Sequence, residues 1–427
     1  MKKLTFTALA LVMGAAQAHA AGYQLNEYSA TGLGRAFAGA GVVGDDFSAL
    51  GYNPAGMTAN KNSGAQLGLT FTEIASKAKS EYGTDKMDYL VPLPSFMSQW
   101  NVNNKWFIGA GVYVPYGLST KYKHNSHVAQ NERTGARKSY LEVIDFNLSN
   151  AYRFDNGLSL GFSAILRWIE GQLTSNLNAG NVNAGQGRNI GYNDFRVNGW
   201  TNAWQLGAMY EFDDNTRIGL SYKFKSTQKP RGKQYLYFNE NGQGMLHVDD
   251  FYRVHTMSDP ELPASWTLSG FHKWNDKWAT EATVKYIQWH RFGVFPGHGD
   301  VSQLPLQLQG LLKQGNYDVE YKWKDSWTVA LGQEYYMDDK WTLRGGVAWD
   351  QSPSRSNTFR SNRIPDTDRI WTSLGASYKT GHHQLDLGYA HLFMMHGRTR
   401  NNPNGGDLDV KYYNHSNMLA LQYQYNF

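Results

Sequence analysis

The chain has 427 residues, 41 Lys and Arg against 36 Asp and Glu, a formal charge of +5, no cysteine, and 44 Gly, 27 Tyr, 20 Phe and 14 Trp. So small and scattered a charge argues against a nucleic-acid partner, which would require a basic stripe or cluster, and the absence of thiols excludes a disulfide framework or a thiolate metal site. Past the first twenty residues no apolar run nears the ~18 residues that a membrane helix needs, which leaves a secreted all-β protein or a membrane barrel, polar inside with aromatic girdles outside.

The chain opens with a basic head, Met1-Lys2-Lys3, an apolar run from Leu4 to Ala16, and the small-x-small pattern Ala18-His19-Ala20. These read as a signal peptide over residues 1–20. Cleavage after Ala20 removes two lysines and lowers the formal charge from +5 to +3. Residues 21–62 are rich in Gly and Ala, do not alternate, and close on Asn53-Pro54-Ala55-Gly56. Tyr23, Leu25, Leu33, Phe37, Val42, Val43 and Phe47 make this segment too apolar for a solvated tail. The lumen of the barrel that follows is the place for it, with a periplasmic tail as the alternative.

From residue 63 to 427 the pattern has period two, as a strand between lipid and a wet interior requires. Leu158, Leu160, Phe162, Ala164, Leu166 and Trp168 form one stripe, and Trp204, Leu206, Ala208, Tyr210 and Phe212 form another. Leu419, Leu421, Tyr423, Tyr425 and Phe427 close the chain. Opposite faces carry Arg167, Glu211, Arg217, Lys223, Glu281, Lys285, Arg344 and Asp386, charges that must look into a polar lumen. Short Asp/Asn/Gly-rich breaks at 101–105, 155–157, 213–215, 275–277, 338–340 and 380–381 alternate with long polar stretches at 76–86, 117–138, 174–199, 227–263, 291–321, 351–368 and 396–415. Six short turns and seven long loops require fourteen strands with both termini on the short-turn side. The expected fold is all-β: a transmembrane antiparallel β-barrel of about fourteen strands over 63–427, with residues 21–62 as an N-terminal hatch, or plug, inside the lumen.

Several stretches together resemble the FadL family of outer-membrane long-chain fatty acid transporters. They are Gly22 to Glu27 (GYQLNE), Gly32 to Ala36 (GLGRA), Asn53-Pro54-Ala55, Pro115 to Leu118 (PYGL), Asn147-Leu148-Ser149 with Ala151-Tyr152-Arg153, and Ile364-Pro365-Asp366 with Asp368-Arg369. The resemblance implies a bacterial outer-membrane protein, a fourteen-stranded barrel with a hatch, and passive uptake of long-chain fatty acids or other hydrophobic small molecules without a cofactor. It implies a monomer among outer-membrane lipids and lipopolysaccharide.

Pro115 lacks a ladder donor, so its strand either ends or bends there. By resemblance Gly117, beside Pro115 and Tyr116, is an inward kink of the third strand that opens a side window, with Asn53, Pro54 and Ala55 lying against it. Lys324 resembles the family's pocket lysine, and counting alternation back from Trp327 turns it inward; Arg167 lies close to where relatives carry a pocket arginine. Both are expected to meet a carboxylate. The same resemblance implies that Tyr23 and Leu25 are the hatch tip and couple binding to opening. Loops 227–263 and 291–321 hold Tyr235, Leu236, Tyr237, Phe238, Met245, Leu246, Leu304, Leu306, Leu308, Leu311 and Leu312, which suit either a first capture groove or a self-packed lid.

Uptake of aromatic or aliphatic hydrocarbons, which members of that family perform, is the second reading. An outer-membrane lipase is the rival from the enzyme class, but no serine stands in a recognisable nucleophile context, and no enzyme activity is expected. The histidines, densest at His382-His383, His391, His396 and His290, satisfy no helical ligand spacing. Gly32-x-Gly34 follows no strand and is no nucleotide loop.

Overall fold

A wall with lipid on one side and water on the other has to alternate along every strand and close on itself, because an open edge in hydrocarbon leaves backbone groups unpaired. A computed structural model of the chain describes residues 22–131, 135–179, 188–238, 251–292, 294–295, 298–300, 302, 304, 306, 309, 319–354, 356–401 and 408–427. The ring consists of β1 Gly64–Ser80, β2 Gly83–Asn101, β3 Trp106–Lys121, β4 Ala136–Arg153, β5 Leu158–Ala179, β6 Arg188–Glu211, β7 Thr216–Lys223, β8 Ser265–Lys273, β9 Trp278–Ile287, β10 Ser326–Tyr336, β11 Trp341–Asp350, β12 Arg369–Thr380, β13 His383–Met394 and β14 Val410–Asn426. Each strand pairs antiparallel with its neighbours in sequence, and β14 returns to β1 with Gly64 opposite Asn426. Both ends of the ring lie beside the short turns.

The alternation sorts the faces as expected. Leu160, Phe162, Leu419, Leu421 and Tyr423 are exposed on the outer wall, while Gln422, Gln424 and Asn426 are buried inside. Trp106, Trp278 and Trp341 ring the outer wall near the short turns, and Trp200, Trp266 and Trp327 ring it towards the other end.

The long connections differ from expectation. The polar stretch at 76–86 is mostly strand: β1 and β2 run on until Ser80 faces Gly83 across a two-residue turn. Most of 174–199 is likewise strand, in β5 and β6. Within 227–263, Arg231–Phe238 pairs both with Gly191 to Asn198 of β6 and with Phe251–Met257. The reason is edge protection: β7 ends at Lys223, so without this hairpin the upper part of β6 would present unpaired backbone.

Residues 22–62 are buried almost throughout. They form α1 (Ala30–Gly34), α2 (Ala49–Tyr52) and a 3₁₀ turn (Pro54–Ala59). Ser29 caps α1 by accepting from Gly32 N–H, and the Ser29 and Thr31 hydroxyls donate to Asp46. The segment reaches inner faces on several sides of the ring. Gln422 of β14 accepts from Ala30 N–H at 3.1 Å, Asn53 Nδ2 donates to Ala208 O of β6 at 3.1 Å, and Gln99 Nε2 of β2 donates to Met57 O at 3.0 Å. A buried ion cluster fixes it to β10 and β11: Arg35 lies 2.7 Å from Asp45 and 3.2 Å from Glu334, and Arg344 lies 2.6 Å from Glu334 and 3.1 Å from Asp45.

Asn53, Pro54 and Ala55 fit the wall only because it carries no side chains there. Gly161 of β5 faces Gly207 of β6, and a Cβ on them would lie 2.3 Å from Ala55 N and 2.0 Å from Asn53 Oδ1. Gly207→Val is therefore expected to weaken docking of this turn by about 1–3 kcal/mol, as overpacking does. The readout is tryptic cleavage after the buried Arg35, which should accelerate about tenfold while the barrel keeps its heat-shifted gel migration; an unchanged rate would contradict the contact.

Candidate functional site

A seam in the wall runs between β2 and β3. β2 and β3 pair only from Asn101 opposite Phe107 to Phe96 opposite Val112, whereas β1 pairs with the full length of β2. Beyond Val112 the ladder between β2 and β3 stops. Three prolines lie along the unpaired stretch, Pro92 and Pro94 on β2 and Pro115 on β3, and proline cannot donate to a ladder. On its other side β3 carries a bulge, with Val114 and Pro115 set against Ile144 alone between the pairs Tyr113–Asp145 and Tyr116–Val143. A bulge bends its strand. Burial records the bend, because the alternation of β3 gives way to an unbroken buried run from Tyr113 to Thr120.

Backbone of the N-terminal segment takes the place that β2 vacates. Leu25 N–H donates to Pro115 O at 2.8 Å and Gly117 N–H donates to Tyr23 O at 2.9 Å, with Gln24 and Tyr116 as the bridge pair. Leu25 fills the gap with Ile74, Val91, Leu93, Val114 and Ile144, all buried. Above the gap the Tyr89 hydroxyl donates to Ser119 O at 2.6 Å. The structure thus brings together Tyr23, Leu25, Pro115, Tyr116 and Gly117. It does not bring Asn53, Pro54 and Ala55 to them: these sit on the glycines of β5 and β6, since only a bare stretch of wall admits so close a backbone approach.

Tyr23 points into an aromatic cage. Its ring centroid lies 4.8 Å from Trp289, 5.0 Å from Phe292, 5.8 Å from Trp323 and 5.9 Å from Tyr116. Gly22 N–H donates to Asp366 at 3.1 Å and so ties the N-terminal segment to the loop before β12. Burial raises the Asp366 carboxyl above its ordinary range, against the opposing pull of Arg369, Ser352 and this N–H. Glu27, further along the same segment, is pushed up to about 7 by burial despite hydrogen bonds from the Asn26 and Glu27 backbone.

Beside the seam lies a small cavity of about 50 Å³, lined by Leu25, Tyr28, Phe37, Tyr52, Pro115, Asp350 and Trp371 among others. Two lysines enter it, Lys223 from β7 and Lys285 from β9. Lys285 Nζ donates to Asn26 Oδ1 at 3.0 Å, and Lys223 Nζ stands 5.8 Å above the Tyr113 ring. Neither has a carboxylate within ion-pair distance among the described residues.

The two cations expected from resemblance are elsewhere. Lys324 is exposed and precedes β10, its backbone N–H donating to Pro353 O. Alternation cannot be counted through it, because the strand begins only at Ser326 and Trp323 is the residue that turns inward. Arg167 is fully buried, but its guanidinium is held by Asp145 at 2.6 and 2.7 Å and by Ser226 at 2.6 Å, and it stacks 5.4 Å from the Tyr116 ring. It braces the kink and does not line the cavity.

In the outer loops Leu236 packs with Val254 and Leu304, whereas Tyr237 and Leu306 are exposed. Met245, Leu246, Leu308, Leu311 and Leu312 lie outside the described residues, as does the signal segment. Among the described residues no group of three or more His, Asp or Glu is arranged to hold a metal ion.

A family model for outer membrane protein transport proteins (OMPP1/FadL/TodX) matches residues 11–427. The long-chain fatty acid transport protein of Escherichia coli strain K12 is 30% identical over 440 residues, covering 93% of this chain and 94% of the relative. The fold is shared with the crystal structure of a Pseudomonas aeruginosa FadL homologue, at a TM-score of 0.81 and 22% identity over 95% of this chain and 100% of that one. It is shared too with the Pseudomonas putida toluene transporter TodX, at 0.69 and 20% over 95% and 100%.

Proposed function

The chain belongs to the OMPP1/FadL/TodX family of outer-membrane transport proteins for hydrophobic compounds, and on that premise we propose that it is a passive channel for long-chain fatty acids. Residues 21–62 act as its hatch, the cavity beside the seam receives the carboxylate end of the ligand, and release runs sideways between β2 and β3 into the bilayer. It works as a monomer and without a catalytic step.

The observation that carries the fatty acid reading is the pair of cavity lysines. Asp350 lines the same cavity but is held by Arg369 and Thr328; an ammonium group withdrawn from water with no carboxylate in contact is costly, and a ligand that brings its own carboxylate offsets that cost through charge-assisted hydrogen bonds. A hydrocarbon ligand gains nothing from Lys223 or Lys285. The sideways route suits the rest of the molecule, since each CH₂ taken through water would cost ~0.8 kcal/mol.

Lipid carried through purification tests the substrate class. Extraction of the detergent-purified protein followed by mass analysis is expected to yield free fatty acid at close to one per chain. Recovery of neutral aromatic or aliphatic hydrocarbon alone would transfer the assignment to the family's other ligand class.

A further inference from the structure

We propose that the outer wall where β14, β1 and β2 meet binds the phosphorylated headgroup of outer-leaflet lipopolysaccharide. Directly opposed like charges destabilise a sheet, yet this wall has two such pairs on adjacent strands. Lys77 of β1 faces Lys86 of β2, and Lys79 of β1 faces Lys411 of β14. All four side chains are exposed. No carboxylate lies within ion-pair distance of any of them among the described residues.

The carboxylates on the same strands are engaged or displaced. Asp409 pairs with Arg398, which itself faces Lys411. Glu73 accepts from Asn417, and Asp88 lies opposite Ala75, one outward row nearer the membrane. Glu81 sits in the turn beyond the four lysines.

Position identifies the anion. Towards the short turns, the outward positions of these strands pass Asp88 and His415 and then turn apolar, with Leu90 opposite Glu73 and Phe71 opposite Leu419. Lys86 therefore sits two outward positions beyond Leu90, and all four lysines lie at the end away from the short turns, which in bacterial barrels is the outer leaflet. Basic side chains at that height attract anionic lipid, and two adjacent ammonium pairs suit phosphate groups joined to acyl chains lying on Phe71, Leu90 and Leu419. A soluble anion would not use that apolar surface. This inference is independent of the transported ligand.

The test uses the full chain in detergent micelles, with bound lipopolysaccharide quantified by native mass spectrometry. K77Q/K79Q/K86Q/K411Q is expected to retain about tenfold less lipopolysaccharide than the parent, whereas K340Q/K379Q, at the short-turn end, retains it fully. Lipopolysaccharide stripped of its phosphates should bind the parent no better than the quadruple variant. Equal retention by the quadruple variant overturns the proposal, as does equal binding of the dephosphorylated lipid or equal competition by phosphatidylglycerol, which would mark a general anionic-lipid surface. Heat-shifted gel migration verifies folding; if the quadruple variant fails that check, K77Q/K86Q alone decides, with about threefold loss expected.

Discussion

Replacing Lys223 and Lys285 together by methionine is expected to raise the dissociation constant of a long-chain fatty acid about 100-fold, with each single change contributing roughly tenfold. The magnitude follows from hydrogen bonds to a charged partner, worth about 1.5–3 kcal/mol each. Methionine keeps most of the lysine stem, so the packing against Tyr113 and Asn26 suffers little. A fatty alcohol of the same length supplies the control: its affinity should hold or rise, because the variant no longer has to desolvate ammonium groups. Lys324→Ala should leave both ligands unaffected, since that side chain is exposed outside the cavity. Tryptophan fluorescence titration can follow all four combinations. Equal weakening of acid and alcohol would mean that the lysines only shape the cavity, and a strong effect at Lys324 would move the carboxylate site to the rim.

Much of the wall is legible in the sequence because lipid enforces it at every second residue. The stripe from Leu158 to Trp168 and the opposed charges at Arg167, Lys223 and Lys285 fix which way each strand faces. The six short turns fall where Asp, Asn and Gly interrupt that alternation, so strand number follows. Lys223 and Lys285 are themselves recognisable as inward charges. What distinguishes them from Arg167 is a partner, and Asp145 reaches Arg167 only through the pairing of β4 with β5. Which charges neutralise each other is a property of register, not of periodicity.

The seam is half legible. Pro115 announces it on β3, and Pro92 and Pro94 carry the matching signal on β2, two missing donors in a strand that otherwise alternates well. Its seal is not legible. Gln24 and Tyr116 are 92 positions apart, and nothing local in GYQLNE says that this segment becomes a short strand. The docking of Asn53, Pro54 and Ala55 is hidden for a similar reason: Gly161 and Gly207 are unremarkable singly and form a bare patch only once β5 lies beside β6. Lys324 shows the limit of alternation as a method, since it holds inside a ladder and fails two residues beyond it.

Joining Gln24→Cys to Tyr116→Cys is expected to stop fatty acid uptake when the bond is oxidised and to restore it on reduction. The backbone bonds Leu25–Pro115 and Gly117–Tyr23 flank this pair on either side, which makes it the closely spaced, non-hydrogen-bonded kind with Cα atoms about 4.5 Å apart. That separation lies within the range a disulfide spans, and the parent chain has no cysteine to divert the reaction. The single Tyr116→Cys variant is the reference, because losing the ring also removes the face against which Arg167 packs. If ligand leaves through the seam, Leu25 must leave it first, and a bond at position 24 holds Leu25 in place. Uptake by cells should then fall on the order of tenfold or more, as it does when a gating step is blocked, with binding at the cavity retained. If ligand instead passes down the lumen past α1 and the ion cluster of Arg35, Asp45, Glu334 and Arg344, the bond at the kink obstructs nothing and oxidised cells take up fatty acid at the reference rate. The outcome separates the two routes because the residues that close the wall and those that hold the floor of the hatch are different, and only the first set is locked.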